Sequence, residues 1–146
     1  WKKIRRTRKV NRMKSENDLR ELIDIALAVR GKAYAPYSKY AVGAALRTGS
    51  GKIYTGVNVE NSSYPLTICA ERNAIFHAIT EGDSDFETIV VATENGGSPC
   101  GACRQVMAEF ALDMNVVMVD KSGKIILQAT VDELLPEAFT PKSLRK

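Results

Sequence analysis

Apolar and polar positions follow different periods along the chain, and these periods predict an order of elements. Near the N-terminus, apolar residues recur every three to four positions, which is the spacing of one face of a helix. These residues are Leu19, Leu22, Ile23, Ala26 and Leu27. Ser15 and Asp18 precede most of this stripe in an arrangement that resembles a helix cap. We therefore expect a first helix that packs one face against a sheet.

Short segments rich in apolar, β-branched and aromatic residues predict five strands. The segments are 40–46, 53–58, 87–93, 115–120 and 125–128. Residues 48–52 are typical of a hairpin loop, and helices are predicted over residues 69–81 and 99–111, with a short helix near the C-terminus. Helices that alternate with the later strands favour an α/β fold. We predict a three-layer α/β/α sandwich around a mixed sheet of about five strands.

All three cysteines of the chain lie in two short motifs. The first is Cys69-Ala70-Glu71, and the second is Ser98-Pro99-Cys100-Gly101-Ala102-Cys103. Positions i and i+3 share one face of a helix, so both thiols of the second motif can bind one ion. Three soft ligands beside one carboxylate that is not a ligand suit a metal site that keeps a position open for water.

Both motifs lie where a helix is expected to begin. Ser98 is a suitable N-cap and Pro99 suits the first helical position. The positive end of the helix dipole there favours thiolate over thiol. His77 would lie about 12 Å along a helix from Cys69, so it is a poor fourth ligand. A structural zinc knuckle, a redox pair in the second motif and unreactive buried thiols remain alternatives at this point.

Cys-Ala-Glu followed by Pro-Cys-x-x-Cys resembles the zinc-dependent nucleoside and nucleobase deaminases. Further segments resemble one branch, the small cytidine deaminases of pyrimidine salvage. These are Tyr34-Ala35-Pro36-Tyr37-Ser38-Lys39-Tyr40, Val42-Gly43-Ala44-Ala45, Gly56-Val57-Asn58-Val59-Glu60-Asn61 and Leu134-Leu135-Pro136. The likeness extends from about residue 16 to about residue 140. It implies hydrolytic deamination of cytidine and 2′-deoxycytidine, with one Zn2+ per subunit of a homotetramer.

The resemblance also implies residue roles at the reacting centre. Cys69, Cys100 and Cys103 would bind the metal. Glu71 would take a proton from water, deliver it to N3 of the pyrimidine and later protonate the departing amine. Two arginines stand close to the ligands in sequence, Arg72 at i+3 from Cys69 and Arg104 next to Cys103. We predict that both donate to the sulfurs and offset their negative charge.

Substrate selection requires other positions. Asn58 and Glu60 are two apart on a predicted strand, so their side chains point the same way, and the resemblance makes them the ribose-binding pair. The resemblance further implies substrate contacts from Ala70, from Tyr40, where many family members have Phe, and from Phe139, which would reach a neighbouring subunit's site. Ser62 and Tyr64 would complete a pocket across a subunit boundary.

Three other functions share parts of these motifs. A deaminase of a modified or antibiotic cytosine nucleoside would use the same metal core. A polynucleotide cytosine deaminase is supported by the basic N-terminus alone, since the acidic body lacks the aromatic platforms typical of single-strand binders. A zinc-stabilised nucleic-acid-binding module would keep the metal but would not need Glu71.

Length and charge divide the 146-residue chain into two parts. Residues 1–14 contain eight Lys and Arg and no acid, whereas the rest contains 13 basic against 17 acidic residues. We interpret 1–14 as an extension that is disordered or unrelated to the fold, and 15–146 as one deaminase domain. The extension is the only part expected to contact nucleic acid. No apolar run approaches the roughly 20 residues of a membrane helix, and thiols reserved for metal favour the cytoplasm.

Overall fold

The computed structural model describes residues 16–145, which form a single mixed sheet with helices on both faces. Ser15 and the basic extension lie outside the described residues. In chain order the elements are α1 (Glu16–Arg30), β1 (Gly43–Thr48), β2 (Ile53–Val57), a 3-10 helix (Tyr64–Leu66), α2 (Ala70–Thr80), β3 (Phe86–Ala92), α3 (Gly101–Phe110), β4 (Asn115–Val119), β5 (Ile125–Thr130), α4 (Val131–Leu134) and a second 3-10 helix (Pro141–Leu144). The predicted element order and the five strands are confirmed.

The sheet has the strand order β2-β1-β3-β4-β5. Strand β1 is antiparallel to both β2 and β3, β3 is parallel to β4, and β4 is antiparallel to β5. In this register Gly43, the first residue of β1, lies opposite Val57 and Ala92, the last residues of β2 and β3. The segments that follow β2 and β3 therefore leave the sheet at the same edge, beside the segment that enters β1.

Alternate residues of the strands form a separate hydrophobic core on each face of the sheet. On one face, Leu22 and Ile23 of α1 pack in a cluster that includes Val90. On the other, Ile75 of α2 and Met107 of α3 pack in a cluster with residues of all of β1 to β4. This arrangement confirms the predicted three layers.

Two glycines let the helices approach the sheet closely. A Cβ added to Gly43 would lie 2.3 Å from the carbonyl oxygen of Ala26 in α1. A Cβ added to Gly56 would lie 2.4 Å from both the carbonyl oxygen of Ala70 and the backbone nitrogen of Ala74 in α2. Since real Cβ atoms do not come this close to backbone, Gly56 fixes the distance between β2 and the first turn of α2, the turn that follows Cys69.

Two sequence-based boundaries were wrong. Helix α3 begins after Cys100, which is its N-cap, rather than after Ser98; the hydroxyl of Ser98 instead donates to the sulfur of Met118 at 3.5 Å. Strand β1 begins at Gly43 rather than Tyr40, because the side-chain amide of Asn58 bonds the backbone of Tyr40 and Val42. Among residues 16–145, the helices all fall short of the length and apolar character needed to cross a bilayer.

Replacing Gly56 by Ala should destabilise the protein by about 3 kcal/mol, because the new methyl group would push α2 away from β2. Gly31→Ala is the matched control, since its Cβ would meet nothing nearer than the carbonyl oxygen of Ala28 at 3.5 Å. That control should stay within about 1 kcal/mol of the parent. Urea unfolding at one fixed protein concentration measures both, and equal effects would contradict the close-approach argument.

Candidate active site

The sulfur atoms of the three cysteines converge on one point. Cys69 Sγ lies 3.8 Å from Cys100 Sγ, and Cys100 Sγ lies 3.5 Å from Cys103 Sγ. All three lie within 4.8 Å of one another. A tetrahedral Zn2+ with bonds of about 2.3 Å places its sulfurs about 3.8 Å apart. The donor set therefore fits zinc in spacing and in softness, and three protein ligands leave a fourth position.

Two helix N-termini supply these ligands. Cys69 is the N-cap of α2 and Cys100 is the N-cap of α3, and neither side chain caps its own helix. Cys103 lies in the first turn of α3 and is fully buried. The backbone N–H groups at a helix start have no partner within the helix and carry partial positive charge. Their position favours the negative charge that metal-binding thiolates bring.

Arg72 adds a full positive charge to this centre. Its Nη2 donates to Cys69 Sγ at 3.5 Å, as predicted from the i+3 spacing. A hydrogen bond from the Cys103 thiol, together with Arg72, lowers the pKa of Cys69 to about 5. The same contact with Cys69 and burial raise the pKa of Cys103, which holds the proton while metal is absent. Binding of Zn2+ would release that proton.

Glu71 lies directly beside the sulfurs. Its side chain is buried, and its Oε2 is 3.8 Å from Cys103 Sγ. Loss of hydration raises the pKa of Glu71, and the negative charge of Cys69 adds to that effect. A carboxyl group with a raised pKa exchanges protons more readily near neutral pH than an exposed one. Among the described residues, the cluster that could hold a metal ion comprises the three cysteines without Glu71, so this carboxyl is available for another role.

Asn58 follows β2 and is held by backbone at the common edge of the sheet. Its Oδ1 accepts from Val42 N at 2.9 Å, and its Nδ2 donates to the Tyr40 carbonyl at 2.8 Å. A primary amide has a second N–H and a second acceptor lone pair. Asn58 therefore both organises the segment that enters β1 and retains capacity for a ligand.

Glu60 organises the same segment from its other end. Its Oε1 accepts from the backbone N–H groups of Tyr37 at 2.9 Å and Ser38 at 3.1 Å. Hydrogen bonds from Ser38, and further ones from Tyr37, lower the pKa of Glu60, so it is ionised near neutral pH. The structure thus brings Asn58 and Glu60 to one loop after the end of β2, whereas their spacing had placed them on the strand itself.

The remaining candidates occupy different environments. Ala70 is fully buried beneath Gly56 at the start of α2. Tyr64 is exposed, with its ring edge-on to Tyr37 at a centroid distance of 5.6 Å, and Ser62 is exposed beside it. Phe139 has 60% of its surface exposed, although its carbonyl oxygen accepts from Gln105 Nε2 at 2.8 Å. The backbone at Phe139 is therefore held while its ring is free to contact another molecule.

Arg104 does not take the predicted position against sulfur. Its Nε donates to the Pro99 carbonyl and its Nη1 to the Leu134 carbonyl, each at 2.8 Å. Because Cys100 rather than Ser98 caps α3, the Pro99 carbonyl is available to accept this bond. Arg104 therefore ties Pro99, the residue before Cys100, to the end of α4.

Four residues that sequence reasoning missed, Thr93, Asn95, Gly96 and Gly97, shape the loop between β3 and Cys100. The hydroxyl of buried Thr93 accepts from the N–H groups of Gly96 and Gly97, each at 2.8 Å. Asn95 accepts a bond from the Tyr40 hydroxyl at 2.7 Å. The only sequence signal is Thr93 followed three residues later by two glycines, which is typical of a side-chain-capped turn.

A cysteine-bound zinc with an adjacent carboxyl supports hydrolysis at a carbon that carries an amino group. This reaction defines the class of zinc-dependent deaminases. Residues 16–129 match the model of the cytidine and deoxycytidylate deaminase zinc-binding region. The chain belongs to the cytidine and deoxycytidylate deaminase family.

Individual relatives agree with this assignment. A cytidine deaminase from Sporosarcina psychrophila is 46% identical over 130 residues, which cover 87% of this chain and 95% of that protein. The crystal structure of cytidine deaminase from Burkholderia pseudomallei superposes with a TM-score of 0.79 at 46% identity, covering 82% of this chain and 98% of that one. A blasticidin-S deaminase from Bacillus cereus is 35% identical over 136 residues, covering 86% of this chain and 94% of that protein.

Exchange of Arg72 for Gln should weaken zinc binding about tenfold, because it removes the cation that contacts a ligand sulfur. Competition with a coloured chelator measures the affinity. Arg104→Gln is the control: it loses two bonds to backbone carbonyls and should lower the free energy of unfolding by about 1–3 kcal/mol while changing zinc affinity less than threefold. A larger zinc defect in Arg104→Gln than in Arg72→Gln would contradict these assignments.

Proposed function

We propose that this protein is a zinc-dependent cytidine deaminase that converts cytidine and 2′-deoxycytidine to uridine and 2′-deoxyuridine with release of ammonia. The observation that carries the proposal is the convergence of three cysteine sulfurs beside the buried carboxyl of Glu71. The relatives at 46% identity bear the name cytidine deaminase and are covered almost completely. The reaction places the protein in pyrimidine salvage.

The chain's own residues divide the chemistry among them. Zn2+ held by the three cysteines supplies the Lewis acidity that makes water a nucleophile near neutral pH. Glu71 accepts the proton of that water and delivers it to N3, which makes C4 of the pyrimidine more electrophilic. After the water oxygen has added to C4, Glu71 takes the remaining proton of that oxygen and passes it to the amine, so that the C4–N bond breaks, the C4 carbonyl forms and ammonia departs. Its burial keeps this proton from exchanging with bulk solvent during the transfer.

The residues that would recognise the nucleoside lie where β1 begins and β2 and β3 end. Asn58 and Glu60 offer a free amide N–H and a carboxylate oxygen, a pair that can hydrogen-bond ribose hydroxyls. Tyr40 would form an aromatic wall, and the backbone of Ala70, at the start of α2, would face the pyrimidine. The ionised state of Glu60 strengthens its bonds to sugar hydroxyls, because an anionic acceptor bonds more strongly than a neutral one.

The competing functions are less well supported. The blasticidin-S deaminase is less similar than the cytidine deaminases, at 35% against 46% identity. A polynucleotide deaminase would need a basic surface, whereas residues 15–146 contain more acidic than basic residues. A structural zinc module gives no reason to bury Glu71 beside the metal ligands.

Glu71→Gln should abolish ammonia release from cytidine, by at least about a thousandfold, because the amide cannot carry the proton. Zinc content should stay at one per subunit, since the amide is nearly isosteric. The parent should act on cytidine and deoxycytidine, and not on free cytosine or a cytosine-containing oligonucleotide. Deletion of residues 1–14 should change none of these rates. Turnover of the oligonucleotide alone, lost with that deletion, would instead support a polynucleotide deaminase.

We further propose a homotetramer in which Phe139 reaches a neighbouring subunit's pocket, with Ser62 and Tyr64 lining the boundary. Support comes from the exposed ring of Phe139 on a fixed backbone and from the exposed Tyr64. Large exposed aromatic groups beside a binding site are typical of contact surfaces. We place the protein in the cytoplasm, where three metal-binding thiols stay reduced, and treat residues 1–14 as an extension of the single domain.

Trans-complementation tests the shared site. Phe139→Ala alone should raise KM for cytidine about tenfold through loss of base stacking. When Phe139→Ala is unfolded and refolded together with inactive Glu71→Gln, mixed oligomers should contain intact Glu71 sites that receive Phe139 from the partner copy. A fraction of activity with the parent KM should then appear, and steady-state kinetics would detect it. A mixture that shows only the high KM would place Phe139 outside the neighbour's site.

A further inference from the structure

Tyr40 is held at both of its ends, by two different parts of the site. Its backbone carbonyl accepts from the side chain of Asn58 at 2.8 Å. Its hydroxyl donates to Asn95 Oδ1 at 2.7 Å, across 55 residues of sequence. The backbone of Tyr40 is therefore tied to the segment that we assign to ribose recognition, and its side chain to the loop before Cys100.

The loop that holds the hydroxyl is itself fixed. Thr93, fully inside the protein at the end of β3, accepts from the N–H groups of Gly96 and Gly97. The backbone of Asn95 pairs with that of Asp120 in an isolated bridge beyond the end of β4. Six residues after Thr93 the chain reaches Pro99, whose carbonyl Arg104 holds in place. A group bonded to Asn95 is thus placed relative to the cysteine ligands.

The backbone around the hydroxyl is shaped to admit it. A Cβ added to Gly97 would lie 2.6 Å from the Tyr40 hydroxyl oxygen. The next nearest atoms are Asn95 Oδ1 at 3.6 Å and Tyr40 Cζ at 3.8 Å, which are ordinary contacts. Gly97 therefore accommodates one atom, the phenolic oxygen, and a phenylalanine at position 40 would leave that space open.

We propose that the hydrogen bond from Tyr40 to Asn95 positions the aromatic wall of the nucleoside pocket, so that Asn95 is a positioning residue for the substrate. The proposal rests on the proposed function, which makes Tyr40 a substrate contact. The bond sets the distance between the segment that we assign to ribose recognition and the loop that leads to Cys100. Since an aromatic wall takes no part in the bonds that form and break, the bond should strengthen binding of substrate and transition state equally.

A double-mutant cycle on Tyr40→Phe and Asn95→Ala tests the bond. Each single variant should raise KM for cytidine roughly threefold to tenfold, the range expected for one hydrogen bond, while kcat changes less than about twofold. The double variant should match the single variants rather than multiply their effects. The dissociation constant of uridine, measured by calorimetry, should rise in parallel, and zinc content should stay unchanged.

Gly97→Ala provides a steric test of the same geometry. In the parent, the added methyl group should displace the hydroxyl and raise KM at least as much as Tyr40→Phe does. In the Tyr40→Phe background, the same methyl group should change KM less than about twofold, because the atom that it would strike is gone. If Gly97 were needed only for the conformation of its loop, Gly97→Ala would raise KM by the same factor in the parent and in the Tyr40→Phe background.

Two further variants separate positioning from general stability. Asn95→Asp keeps an acceptor oxygen for the phenol and should retain KM within about twofold of the parent. Tyr54→Phe removes a hydroxyl that contacts Asp83, beyond the far end of α2 and about 16 Å along that helix from its first turn. It should leave KM and kcat unchanged, even if it lowers the melting temperature.

The outcomes distinguish this inference from the function on which it rests. A parent protein that releases no ammonia from cytidine and binds no uridine would overturn the proposed function and this inference with it. An active parent whose Tyr40→Phe and Asn95→Ala variants keep the parent KM, or whose effects multiply in the double variant, would overturn the inference alone. A Gly97→Ala defect that persists unchanged with Tyr40→Phe would do the same.

Discussion

Three thiolates gathered around one cation, with a carboxyl group buried against them, make a concentration of negative charge that the surrounding structure must stabilise. Cys69 and Cys100 are the N-caps of α2 and α3, so the partial positive charge of two helix starts lies beside this point, and Arg72 adds a guanidinium to it. Burial disfavours the ionised form of Glu71 and raises its pKa, and the carboxyl avoids the cost of a buried charge when it holds a proton. The site is therefore an electrostatic balance among helix ends, one arginine and a metal ion.

The sheet topology explains why distant segments meet at this point. Because β1 is antiparallel to both β2 and β3, the start of β1 lies beside the ends of both neighbours, and β3 and β4 are joined by the crossover that contains α3. Tyr40, Asn58 and Thr93 thus come to one edge from parts of the chain more than 15 residues apart. Ligands commonly bind outside the carboxyl ends of strands in open α/β sheets, and the same geometry applies here.

The sequence predicted those features that depend on local spacing. Cys100 and Cys103 at i and i+3, Arg72 at i+3 from Cys69, and the apolar stripe of α1 each follow from helical periodicity, and the structure contains all of them. It did not predict features that depend on tertiary contacts. Arg104 bonds two carbonyls because α4 lies beside α3, and Asn95 meets Tyr40 only because the strands pair in this register. Propensity favoured Ser98 as a cap, whereas the N-cap of α3 is Cys100, whose sulfur lies 3.5 Å from that of Cys103.

Several aromatic side chains near the site are exposed to solvent in the single chain. The side chains of Tyr37, Tyr64 and Phe139 are exposed. Hydrogen bonds nevertheless hold two of their backbones: Glu60 accepts from the N–H of Tyr37, and Gln105 donates to the carbonyl of Phe139. Ordering a segment costs conformational entropy, and an aromatic ring exposed to water buries too little apolar surface to offset that cost. In the proposed homotetramer, a bound nucleoside or a second copy of the chain would cover these rings and offset part of that cost. The three cysteines and Glu71 all lie within one chain, so the proposed subunit contacts would complete the pocket wall without adding a metal ligand.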